Sequence, residues 1–83
     1  MTDVIAAVST GTQVCAIGIL RLSGPGCADI AGRVFTCKSG RPLAEAPVRK
    51  LVLGTLRDKQ GRIIDSCMAV RCAAPHSYTG EDT

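Results

Sequence analysis

Ala16-Ile17-Gly18-Ile19-Leu20-Arg21-Leu22-Ser23-Gly24-Pro25 is the stretch on which the reading of this 83-residue chain turns. It is the most strand-like apolar run in the sequence, and one arginine stands inside it. Alternation along a strand puts Ile17, Ile19 and Arg21 on one face and Gly18, Leu20 and Leu22 on the other. Both faces are apolar, which predicts a strand covered on both sides, with Arg21 at its end. Ser23-Gly24-Pro25 then reads as the mouth of a helix, with Ser23 or Gly24 as cap and Pro25 in the first turn. A guanidinium delivered to a helix N-terminus suits an anion. The alternative is an arginine that snorkels at the strand end and pairs with a surface carboxylate.

Working outward, residues 4–9 form a second short apolar run, and the polar break at 10–13 joins the two as strand, loop, strand. Downstream, Cys27, Ile30, Ala31 and Val34 recur at helical spacing, and Phe35 widens the stripe. This predicts a helix from Pro25 towards Lys38, closed by Ser39-Gly40 and Arg41-Pro42, although Gly26 and Gly32 weaken it by about 1 kcal/mol each. A connection follows over 43–49. Residues 50–57 and 62–73 are then two β-type runs around Asp58-Lys59-Gln60-Gly61, a hairpin signature. In the second arm Ile64, Ser66, Met68, Val70 and Cys72 share one face. The order β-β-α-β-β defines an α+β fold with a mainly antiparallel sheet. The last ten residues are polar and turn-rich. Thr79 and Asp82 there bracket a capping box, which introduces a helix, so the sequence reads as cut rather than finished.

Composition narrows the chemistry. The chain makes one small domain, with no Trp, one Phe (Phe35) and one Tyr (Tyr78), so its core rests on aliphatic residues and alanines. Such a core calls for a partner or more chain. The net charge is +3, but the basic residues are spread along the sequence as on a solvated surface. Two aromatics cannot furnish a base-stacking platform. Five cysteines without a CxxC, and His76 as the one histidine, argue against zinc and for reduced, core-filling thiols. There is no Gly-Lys-Ser/Thr phosphate loop. His76, Ser77 and Asp82 crowd one short segment without a nucleophile elbow, which disfavours a hydrolytic triad. The start is not basic and no apolar run approaches ~18 residues, which predicts a cytoplasmic chain without a membrane span. From the residues alone this is a small binding module, with Arg21 as its candidate site.

Ile17-Gly18-Ile19-Leu20-Arg21-Leu22-Ser23-Gly24-Pro25 before a helix, and Ala74-Pro75-His76-Ser77-Tyr78-Thr79-Gly80-Glu81-Asp82 after a hairpin, resemble the N-terminal domain of the MnmE (TrmE) family of tRNA-modification GTPases. The resemblance spans essentially the whole chain; the opening run and Gly61-x-x-x-Asp65 fit it too. It implies a domain similar to the folate-binding domain of aminomethyltransferases, covering 1–83 and incomplete. It implies homodimerisation and a formyl- or methylene-tetrahydrofolate one-carbon donor, with Arg21 at the family's folate-contacting arginine. A second family contact, a glutamate, falls just past Thr83, so Glu81 is not its counterpart. The family's helical and potassium-dependent GTPase domains, with their GTP and magnesium, lie outside this stretch, so the chain alone is expected to be inactive as a GTPase. In the family the whole protein works with an MnmG-type flavoprotein on the wobble uridine of tRNA. The alternative is a purely structural association module. One departure stands out: where the family often carries Pro-Pro-Gly-x-Gly-Gly, this chain has Gly11-Thr12-Gln13-Val14-Cys15-Ala16.

Overall fold

Five short strands, one helical turn and a 3-10 turn make up the computed structural model, which describes residues 3–10 and 17–83. The expected loop and glycine departure at 11–16, with Cys15, lie outside the described residues. Strands β1 (Ile5–Val8) and β2 (Leu20–Ser23) pair antiparallel, Ile5 opposite Ser23 and Val8 opposite Leu20. Helix α1 (Cys27–Ala31) follows, then β3 (Phe35–Cys37), a 3-10 turn at Leu43–Glu45, β4 (Val52–Arg57) and β5 (Ile63–Ala69). The last three strands form an antiparallel sheet in the order β3-β4-β5. The α+β class and the antiparallel pairing are as the sequence predicts. The single sheet is not: the described strands form two.

The predicted 25–38 helix is the largest correction. α1 lasts five residues; Gly26 takes a left-handed conformation at its N-cap, Gly32 caps its end, and Pro25 lies in the preceding turn. Val34, Phe35 and Thr36 are β-branched or aromatic and gain more by extending alongside β4 than by continuing a glycine-weakened helix. Phe35 and Cys37 are then buried while Thr36 is exposed, a period of two overriding a period of 3.6. Ile30 and Val34, on the supposed apolar stripe, stay exposed. The observed order is therefore β-β-α-β-β-β.

Phe35, Cys37, Leu43 and Ala46 form the buried core, with Ala28, Ala31, Val52, Cys67 and Ala69 against it. The one phenylalanine fits because β4 yields to it. A Cβ on buried Gly54 would collide with the edge of the Phe35 ring and with the Thr36 carbonyl oxygen. Cys27 and Cys37 are buried free thiols and Cys67 and Cys72 half-buried ones, filling space as small apolar groups. Burial alternates only at the end of β5, where Cys67 and Ala69 pack against the core while Met68 and, just past the strand, Val70 are exposed; Ile63 and Ile64 are both exposed. β2 is not covered on both sides: Leu20 is 63% exposed, and Ile17 and Ile19 before it are exposed as well.

The β4–β5 turn follows its sequence signature. The Asp58 carboxylate accepts from the backbone N–H groups of Gln60 and Arg62 at 2.9 Å each and pairs with Arg62 Nε at 3.0 Å. Gly61 takes the left-handed position, φ 83°. The Arg62 N–H above all holds the Asp58 carboxyl below the usual carboxylate range.

Two predictions follow from the packing. Gly54→Ala should lower stability in urea melts by about 1–3 kcal/mol, the overpacking range, and Phe35→Leu in the same chain should recover part of it. Because the folded-state pKa of Asp58 is depressed, its contribution is complete above the unfolded-state pKa and disappears as pH falls through the folded-state value. Thermal melts from about pH 6 to pH 2 should show this loss, and Asp58→Asn should remove that part of the profile.

Candidate functional site

Arg21 and Ser23 lie two residues apart on β2, so both side chains leave the same face of the β1–β2 ribbon. Residues 73–82 fold back over that face. The Arg21 guanidinium carbon sits 4.4 Å from the centre of the Tyr78 ring, within cation–π range. Ser23 Oγ is 2.8 Å from Thr79 Oγ1 and donates to Glu81 Oε2 at 3.0 Å. The two stretches that the sequence singles out separately thus meet at one place. Arg21 is exposed and stands on an aromatic ring, and among the described residues it makes no ion pair with a carboxylate. Tyr78 is 83% exposed, so the ring-and-guanidinium stack presents an open surface.

The loop holds its shape through its own polar groups. Ser77 Oγ donates to the Glu81 carbonyl, Asp82 Oδ1 accepts from the Ala74 N–H at 2.9 Å, and Thr79 Oγ1 accepts from the Glu81 N–H at 3.3 Å. No helix begins at the capping-box sequence; its side chains satisfy a folded-back loop instead. Gly24 lets the loop, β2 and the N-terminal residues converge. Its φ is +138°, and a Cβ there would come 2.5 Å from the Asp3 carbonyl oxygen and 2.9 Å from Val4 Cα. Its N–H donates to the Asp82 carbonyl at 2.8 Å.

Ser77 and Asp82 are engaged with backbone groups, and no described contact joins either to His76. Burial, aided by the charge of Asp82, pushes the Cys27 thiol pKa up and away from a nucleophilic thiolate. Among the described residues no cluster of His, Cys, Asp or Glu could hold a metal ion, and no helix is long and apolar enough to cross a membrane. Sequence reasoning found Arg21 but missed Tyr78 and Ser23 as its companions. The side-chain parity of β2 signals Ser23; nothing local signals Tyr78.

The described residues thus form a small antiparallel α+β unit in which the arginine-bearing strand β2 is clasped by a Ser-Tyr-Thr-Gly-Glu-Asp loop. Residues 4–83 match the family described as "GTP-binding protein TrmE N-terminus", and the chain belongs to that family. It is 41% identical over 83 residues to the tRNA modification GTPase MnmE of Christiangramia forsetii, covering 100% of this chain and 17% of the relative. To the proteins of the same name from Caldicellulosiruptor saccharolyticus and Bordetella parapertussis it is 39% and 42% identical, covering 96% and 94% of this chain. The chain thus spans about 17% of the length of the curated relatives it matches.

Ser23→Ala should loosen the loop without unfolding the sheet. Hydrogen exchange at Gly24, Gly80 and Glu81 should accelerate about three- to tenfold, the effect of one ordinary hydrogen bond. Exchange within the β4–β5 ladder should not change.

Proposed function

We propose that this chain is the N-terminal, folate-binding and dimerisation domain of a tRNA-modification GTPase, with a fold akin to the folate-binding domain of aminomethyltransferases. The observation that carries the reading is the Arg21–Tyr78 stack, secured by Ser23, Thr79 and Glu81. A reduced folate is a flat heteroaromatic ring joined to anionic carboxylates. An exposed guanidinium takes the polar edge or carboxylate of such a ligand, and an exposed tyrosine face takes its ring. Bound there, the folate would supply a one-carbon unit, formyl or methylene, for the wobble uridine of tRNA. Arg21 and Tyr78 form one lip of that pocket and Glu81 braces it from behind. GTP, magnesium and potassium do not fit this chain, which has neither a phosphate loop nor, among its described residues, a metal-holding cluster. They belong to a further domain of the whole protein, which would act in the cytoplasm on tRNA with a flavoprotein partner.

Self-association has its own support. Ile5, Val8 and Leu20 expose more than half their surface on a two-stranded ribbon, more apolar area than so small a domain leaves wet at no cost. Dimerisation through this ribbon accounts for that area.

Calorimetric titration of the full-length protein with 5-formyltetrahydrofolate tests the reading. Arg21→Ala should weaken binding at least about tenfold, roughly 1.4 kcal/mol. Binding as tight as that of the parent would sink the role of Arg21.

A further inference from the structure

Asp82 and Thr83 are bonded on two sides at once. On one side the Asp82 carbonyl accepts from the Gly24 N–H, just past the end of β2. On the other, Thr83 and Cys72 exchange both backbone hydrogen bonds, N–H to carbonyl at 3.0 and 2.8 Å. A mutual exchange of this kind is the hydrogen-bonded pair of an antiparallel ladder. Residues 82 and 83 thus carry the hydrogen bonds of one ladder rung, between Gly24 just past β2 and Cys72 just past β5.

Both neighbouring edges are prepared for the rest of that strand. Residues 19, 21 and 23 face β1, since the Ser9 N–H donates to the Ile19 carbonyl and Ala7 and Ile5 oppose Arg21 and Ser23. By alternation, the backbone groups of Leu20, Leu22 and Gly24 point the other way. Just past β5, Cys72 bonds outward to Thr83, so by alternation Val70, Met68 and Ser66 share that outward edge. The Ser66 N–H bonds the Asp65 carboxylate rather than β4, as that parity requires. Between the two edges lies a mostly apolar hollow of about 370 Å³, lined among others by Ile19, Leu20, Leu22, Met68, Val70 and Thr83. Two open, unblunted strand edges facing one apolar gap form a template for one more strand.

We propose that this gap is a strand-acceptor slot, and that its occupant is the polypeptide continuing directly from position 83 in a protein as long as the relatives. The occupant runs antiparallel to both β2 and β5. It merges the two sheets into one of order β1-β2-new strand-β5-β4-β3 and makes residues 73–82 the loop of a β-hairpin. Its register on β5 is set by the Cys72–Thr83 pair: residue 84 opposes Arg71 in a non-hydrogen-bonded pair, and residue 85 opposes Val70 in a hydrogen-bonded one. The proposal rests on backbone hydrogen bonding and is independent of the folate reading.

The test compares the 83-residue chain with the same chain continued by about ten residues, a strand's length and its turn, taken from the region that follows the match in the Christiangramia forsetii relative. Hydrogen exchange by NMR should show the Leu22, Met68 and Val70 amides slowed at least about a hundredfold in the longer chain, independent of protein concentration. A close Hα–Hα contact between Arg71 and residue 84 should appear. The same ten residues added as a separate peptide should shift the resonances of Leu20, Leu22, Met68 and Val70, a readout that survives if the longer chain is insoluble. Amides that exchange equally fast in both chains, with no shift on adding the peptide, would overturn the proposal. So would protection that appears in the short chain as its concentration rises, which would place a second copy in the slot.

Discussion

The Gly24–Asp82 hydrogen bond is the one backbone link, among the described residues, between the β1–β2 ribbon and the C-terminal loop. A two-stranded ribbon is marginal alone, and here both of its strands expose apolar side chains. The bond forms only because Gly24 tolerates a positive φ and the close approach of Asp3 and Val4. From that junction the loop lies over β2, which lets Tyr78 reach Arg21 and lets Thr79 and Glu81 reach Ser23. The candidate site therefore follows from backbone geometry at one glycine.

The part of the structure that local sequence controls was legible. Asp58-Lys59-Gln60-Gly61 encodes its own turn, because the aspartate side chain and a left-handed glycine need nothing from the rest of the chain. The parity that puts Arg21 and Ser23 on one face of β2 is equally local. Helix α1 is shorter than its periodicity predicts because Val34 and Phe35 satisfy a helical stripe and a strand alternation equally well. The deciding factor is β4, some twenty residues downstream, whose Gly54 leaves room for the Phe35 ring. The ring beneath Arg21 was not legible at all. A cation–π pair between residues so far apart leaves no periodic trace, and only the resemblance linked the two stretches.

The core shows why the fold stays open. Its buried members are one phenylalanine, one leucine, an alanine and cysteines, and among the described residues no large side chain is wholly enclosed. Burial at this level stabilises weakly. Large apolar residues that would enlarge it, Ile63, Ile64 and Met68 among them, lie on the surface of β5 instead. The shortage expected from composition is thus a property of where the apolar residues lie as much as of how many there are.

Tyr78 carries one more consequence. The sequence has no tryptophan and no other tyrosine, so all tyrosine emission from this chain comes from a single ring. That ring is stacked with the Arg21 cation and faces solvent. The tyrosine signal of these residues is therefore a report from one patch of their surface, and the candidate site is its own spectroscopic label.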